Sequence, residues 1–360
     1  MPPLEEFIPY LEKIWDAKIL TNGGPFHQQL ELELAEYLGV EFVSLFSNGT
    51  IALVAALKAL KICGEVITTP YSFIATAHSL LWNELNPIFV DIDPDTFNID
   101  PKKIEAAITP KTQAILAVHC YGYPCAVDAI EEVAKRNNLK VIYDAAHAFG
   151  VEGGDGSILK YGDLSVLSFH ATKVFNVFEG GAVISRTAEM KRNIDQLKNF
   201  GFINETEIDA VGINGKLSEL NSSFGLVQLK HVKAEIDKRK LVDHRYREQL
   251  SGVEGICLPN NPAKIENYSY FPIIVDKNFP LSRDELYEKL KTQEIYSRRY
   301  FYPLISNFSM YSLFESSLPS KLPIANRVAD QILCLPIYSD LTMAEVDFIC
   351  EQLSKLSGVV

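Results

Sequence analysis

The chain has 360 residues, 47% apolar and 22% charged, a balance that excludes a disordered polypeptide and a length that suggests two domains. Its formal net charge of −12 argues against nucleic acid or an anionic membrane as the main partner, although a local pocket of N–H groups can still hold a small anion. Cysteines at 63, 120, 125, 257, 334 and 350 form no CxxC pair, so reduced thiols in a cytoplasmic protein are expected, with no metal site.

The first stretch, MPPLEEFIPYLEKIW, lacks a basic head and an apolar run, so no secretory signal is expected there. Seven short runs rich in β-branched and apolar residues follow, at 42–46, 65–69, 87–92, 113–120, 140–143, 164–169 and 181–185. Helical patterns at 50–61, 74–85, 101–107 and 127–137 separate several of them. The apolar stretch 51–62 contains Lys58 and is too short to cross a bilayer. Alternating strands and helices predict an α/β fold with a mainly parallel sheet covered on both faces. The last two runs are joined without a helix, too short a link for a crossover, so the final strand is expected to be antiparallel.

A long helical pattern then runs from Lys216 towards Leu250, with no proline and only Gly225 inside it. Beyond a proline-marked loop at 258–262 come a strand at 270–275 and helices at 282–292 and 343–356. The tail reads as a smaller α+β unit, giving a large domain over 1–235 and a small one over 236–360.

Three places carry chemistry. Ser47-Asn48-Gly49-Thr50 follows the first strand and opens a helix, so it is either a plain helix cap or a phosphate-binding turn. Asp144 ends the fifth strand ahead of Ala145, Ala146 and His147, where open α/β sheets place ligands; a capping role is the alternative. Lys173 lies just past the sixth strand, behind Ser168 and His170 and ahead of Glu179-Gly180-Gly181. A lysine in a partly apolar pocket becomes a nucleophile for carbonyls. With Phe73 after Pro70-Tyr71-Ser72, these are the parts that a pyridoxal phosphate site needs: N–H donors, a flat partner, a carboxylate and an amine.

Motifs in the same order extend over nearly the whole chain: 20–25 (LTNGGP), 48–53 (NGTIAL), 70–73 (PYSF), 90–93 (VDID), 118–122 (VHCYG), 144–146 (DAA), 168–169 (SF) with Lys173, 212–214 (GIN), 302–304 (YPL) and 335–338 (LPIY). On these the chain resembles the DegT/DnrJ/EryC1/StrS family of pyridoxal-phosphate sugar aminotransferases of fold type I. The resemblance implies that Asn48, Gly49, Thr50 and Ser168 bind the cofactor's phosphate. It implies that Phe73 stacks on the ring, Asp144 meets the ring nitrogen, and Lys173 joins the cofactor as a Schiff base. Asn214 is expected to reach the phosphate of a neighbouring subunit, in a homodimer with shared sites.

His147 stands where the family usually has Gln near the phenolic oxygen, Tyr143 where it has Glu, and Lys216 where Arg is common. Relatives that dehydrate carry histidine at the Schiff-base position; here that position is Lys173, which implies transamination. The implied reactants are L-glutamate and a dTDP-linked keto-6-deoxysugar, aminated at C4 in dTDP-4-keto-6-deoxy-D-glucose or, alternatively, at C3 of an isomer. The product would feed surface polysaccharide and O-antigen synthesis. A non-catalytic ligand-binding relative is the further alternative. Asn22, His170, Arg299 and Tyr302 are the candidate sugar contacts, with Arg298 or Arg299 as a diphosphate clamp.

Overall fold

The computed structural model describes residues 1–358, and in it the seven runs form one sheet. Strands Phe42–Phe46, Glu65–Thr68, Asn86–Phe89, Thr112–Val118, Lys140–Asp144, Leu164–Ser168 and Gly181–Ser185 lie in the spatial order 1-7-6-5-4-2-3, counted along the chain. The second to sixth strands pair in parallel, and the seventh pairs antiparallel with the first and the sixth, as its short link requires.

Period-two alternation packs both faces. In the fourth strand, Ala114 and Leu116 join a core with Ala52, Leu53 and Ala56 of helix Gly49–Ala59. Ile115 and Ala117 face the other way, towards Ile130 and Val133 of helix Val127–Asn137. A strand covered on both sides needs apolar residues throughout, which is why these runs read as near-continuous hydrophobic segments.

The long helix is Glu219–Leu250; it starts three residues later than the pattern because the Ser218 side chain accepts the Asn221 N–H and caps it. Its first half contributes Phe224, Leu226 and Val232 to a core under the main sheet. Its second half contributes Val242, Tyr246 and Leu250 to a separate core around a three-stranded antiparallel sheet. That sheet pairs Ile256–Cys257, Phe271–Val275 and Ile332–Leu335, and helices Arg283–Lys291 and Met343–Ser357 each begin with a capping box.

Helices Leu4–Ala17, Pro25–Leu38, Ala188–Leu197 and Pro323–Gln331 were not among the elements read from the pattern. Two of them are held by distant carboxylates. Glu219 accepts the N–H groups of Phe26 and His27 at 2.9 and 2.8 Å. Buried Asp91 accepts those of Ile324 and Ala325 at 3.1 and 2.8 Å. Among the described residues no helix is long and apolar enough to cross a membrane.

Glu31 ties the second helix to the rest. It accepts Lys191 Nζ at 2.7 Å, Lys198 Nζ at 3.0 Å and the Leu45 N–H at 2.9 Å, and touches His27 Nε2 at 3.1 Å. Burial alone would push this carboxyl up, but His27, Lys198 and Lys191 outweigh it and hold it well below its ordinary 4.5. A depressed carboxyl stabilises the fold above its unfolded value, and that stability is lost as the pH falls through the folded one. Glu31→Gln should therefore cost about 3 kcal/mol near neutrality in equilibrium urea unfolding. The gap to the wild type should close progressively below pH 4.5.

Candidate active site

The parallel strands present their carboxyl ends on one side of the sheet, and a cavity of about 250 Å³ opens there. Asn48, Gly49, Thr50, Phe73, Asp144, His147, Ser168, His170 and Lys173 all line it. They come from chain segments 48–50, 73, 144–147 and 168–173, which the sheet brings together.

At one end, helix Gly49–Ala59 begins against the cavity. The Asn48 Oδ1 accepts the Ile51 N–H at 2.9 Å, leaving the Gly49 and Thr50 N–H groups without an acceptor among the described residues. The turn is thus a cap and a pair of free donors at once. It is also tight: a Cβ on Gly49 would lie 3.0 Å from Ser168 Cβ, and one on Gly181 would lie 2.7 Å from Gly49 N. Hydrogen at Gly181 lets the seventh strand pass this close to the turn, and hydrogen at Gly49 does the same for the turn and the end of the sixth strand.

At the other end sits Asp144, 5% exposed. Thr76 donates to its Oδ2 at 2.7 Å and the Ala146 N–H to its Oδ1 at 3.2 Å. Burial pushes the carboxyl up, opposed by these two donors and by the charge of Lys173. Lys173 feels the same burial with the opposite result: its ammonium falls to about 8, with Asp144 pulling it back up. Its Nζ reaches the Tyr270 hydroxyl at 3.5 Å.

His147 resolves its own tautomer. The Tyr121 N–H donates to Nδ1 at 3.2 Å, so the neutral ring carries its proton on Nε2. Burial, and then Lys173, hold the imidazole well below its ordinary value, so it is neutral in ordinary buffers. His170 similarly accepts the Thr172 N–H on Nδ1 at 3.3 Å and points Nε2 towards Glu179 Oε1, 3.6 Å away, at the cavity wall.

This donor set fits pyridoxal phosphate: free N–H groups and Ser168 Oγ for a phosphate, a buried carboxylate for a pyridine nitrogen, Phe73 for a flat ring, an amine for an aldehyde.

Other predicted residues lie outside this cavity. The Arg299 guanidinium is taken up by Asp284 at 2.8 Å and by the rings of Tyr287 and Tyr302, and Tyr302 lies under Arg283 at 4.4 Å. Asn22 sits in a left-handed turn, Asn214 forms a bridge to Asn199, and Lys216 donates to Asn199 Oδ1 at 2.7 Å. Arg298 makes no ion pair among the described residues and lines an adjoining cavity of about 600 Å³ that shares Thr172, Tyr270 and Tyr300 with the first. Sequence reading did not single out Ser72, Thr76, Tyr270, Tyr300 or Phe301 as site residues.

A model of the DegT/DnrJ/EryC1/StrS aminotransferase family matches residues 4–354. The chain is 56% identical over 358 residues to a dTDP-4-amino-4,6-dideoxy-D-glucose transaminase of Shigella dysenteriae, covering 99% of this chain and 97% of that protein. Among solved structures, DesI in the presence of its TDP-sugar product matches with a TM-score of 0.95 and 33% identity, over 100% of this chain and 92% of that one. NtdA from Bacillus subtilis with bound cofactor PMP matches with a TM-score of 0.90 and 31% identity, over 99% and 82% of the two chains.

A folded-state value of about 8 makes Lys173 stand out from surface lysines. Reductive methylation of the cofactor-free protein, read by peptide mass spectrometry, should modify Lys173 with a half-maximal rate near pH 8, below the 10.5 of an ordinary lysine.

Proposed function

Because the chain belongs to the DegT/DnrJ/EryC1/StrS aminotransferase family and depends on pyridoxal phosphate, we propose that it moves an amino group from L-glutamate to C4 of dTDP-4-keto-6-deoxy-D-glucose. The product is dTDP-4-amino-4,6-dideoxy-D-glucose, made in the cytoplasm for O-antigen assembly. The observation that carries the chemistry is a lysine amine depressed to about 8 in the same cavity as a buried carboxylate. The choice of C4 over C3 is supported by the 56% identity, which extends over almost the full length of both chains.

When bound, pyridoxal phosphate supplies an aldehyde for amines and a ring that accepts electron density from the neighbouring carbon. The protein does the rest. Gly49 and Thr50 N–H groups with Ser168 Oγ would bind the phosphate, and Phe73 would pack against the ring. Asp144 holds a proton at the ring nitrogen, which keeps that electron sink effective. His147, protonated on Nε2, donates towards the phenolic oxygen. Lys173 would hold the group at its aldehyde, and its free amine would take the α-proton of glutamate onto Nζ; positioned proton transfer of this kind is worth roughly 10²–10⁴-fold. His170 and Glu179 meet the sugar at the cavity wall, and the diphosphate reaches towards Arg298 in the adjoining cavity rather than the committed Arg299.

Two subunits share each site in this reading, with Asn214 serving the partner's phosphate; residues 1–235 carry the cofactor and 236–360 the smaller domain, whose three-stranded sheet has a core of its own while Phe301, Ile305 and Ile332 pack with Tyr71 and Tyr121 of the larger one.

Incubated with the keto-sugar and glutamate, the protein should yield nitrogen on C4, located by NMR; nitrogen on C3, or no product, overturns the substrate assignment. Lys173→Ala should abolish turnover, and Arg298→Ala should raise KM for the sugar with little change in kcat. Mixing and reassembling Lys173→Ala and Asn214→Ala subunits, each inactive alone, should restore about a quarter of wild-type activity, because half of the subunit pairs then carry one intact site. No recovery would argue against shared sites.

A further inference from the structure

Asp144 has a difficult task. A carboxylate that is to hold a proton at a ring nitrogen must stay ionised and keep one direction, yet it lies 5% exposed in a cavity wall where burial favours the neutral acid. The titratable groups that act on it are Lys173 on the cavity side and the buried Cys120 thiol. Of these only Lys173 is a cation, and it is the group whose charge must change during the reaction. Something that does not titrate has to hold the carboxylate.

Thr76 is placed to do so. Its side chain is fully buried and does not line the cavity, so it can act on a ligand only through Asp144. Its hydroxyl donates to Asp144 Oδ2 at 2.7 Å, and its Oγ1 lies 2.7 Å from Ser72 Oγ. The direction of the protons follows. An ionised carboxylate only accepts, so the single Thr76 proton goes to Asp144, and the remaining contact must be Ser72 donating to Thr76. A hydroxyl that accepts one hydrogen bond gives a stronger one, so the pair acts in series. Ser72 and Phe73 are neighbours on the turn after the second strand, and Thr76 lies in the first turn of the helix Ala75–Trp82 that follows. One short segment therefore presents the ring-facing aromatic and fixes the ring-facing carboxylate.

We infer that Ser72, at the cavity wall, and Thr76, behind it, form a two-hydroxyl relay that fixes the Asp144 carboxylate, which makes Thr76 a positioning residue for the cofactor's ring nitrogen. The inference rests on the role proposed above for Asp144. It predicts a specific pattern of affinities. Thr76→Val keeps the shape and removes the proton, so cofactor-free protein should bind pyridoxal phosphate roughly tenfold to a hundredfold more weakly, the worth of one hydrogen bond to a charged group. An analogue with carbon in place of the ring nitrogen should bind wild type and Thr76→Val alike. Thr76→Ser should restore wild-type affinity, and Ser72→Ala should show a smaller loss in the same direction.

Equilibrium dialysis with both probes tests this, with circular dichroism to confirm folding. Equal binding of pyridoxal phosphate by wild type and Thr76→Val, or equal losses for both probes, overturns the relay. Should Thr76→Val fail to fold, the Ser72→Ala and Thr76→Ser pair decides on the same two probes. A wild-type protein that binds no pyridoxal phosphate would instead overturn the cofactor reading of the site, which is a separate failure.

Discussion

Lys173 and Asp144 line the same cavity, and burial pushes each towards its neutral form. Each is the other's partial remedy, since either charge favours the other. Much of the surrounding architecture follows from that tension. The carboxylate takes a hydroxyl and a backbone N–H, the amine is left with one phenol at a loose 3.5 Å, and the neighbouring imidazole is kept neutral by its own burial. The result is asymmetric: the acid is clamped and the amine is free to move. A nucleophile that must attach, detach and carry protons needs this division.

The remainder of the fold fixes where those two groups stand. Strands that end together on one edge deliver Asn48, Asp144 and Ser168 to one place, and the glycines at 49 and 181 allow the closest approach there. Opposite, Tyr270, Tyr300 and Phe301 arrive from the region of the three-stranded sheet and close the side of the cavity. The long helix Glu219–Leu250 belongs to both cores and so sets the two sheets against each other.

Residues at strand ends were legible in the sequence because period and position are local properties. Asp144, Ser168 and Lys173 could be placed by counting along a strand, and the antiparallel seventh strand by the shortness of its link. What escaped depended on partners far along the chain. Thr76 meets Asp144 across 68 positions and Lys173 meets Tyr270 across 97. Helices Pro25–Leu38 and Pro323–Gln331 lack a side-chain cap of their own; Glu219 and Asp91 fill that role from 193 and 234 positions away at most. Their starts therefore carried only the proline signal. Helix Ala188–Leu197, by contrast, has its own Thr187 cap and was visible to a closer reading. Arg299 drew attention as a guanidinium suited to phosphate, but its neighbours Asp284, Tyr287 and Tyr302 already occupy it.

The aromatic wall from Tyr270 to Phe301 also bears on the order in which the molecule can be built. Asn48, Asp144, Ser168 and Lys173, which line the cavity floor, all lie within the first 173 residues of the chain, and the last strand of their sheet ends at Ser185. The side of the cavity that shields them is made about a hundred residues later. The wall beside the amine therefore comes from a later part of the chain than the amine itself, with the Tyr270 hydroxyl 3.5 Å from Lys173 Nζ. The setting of the amine is thus divided between two distant parts of the chain, one that carries it and one that walls it in.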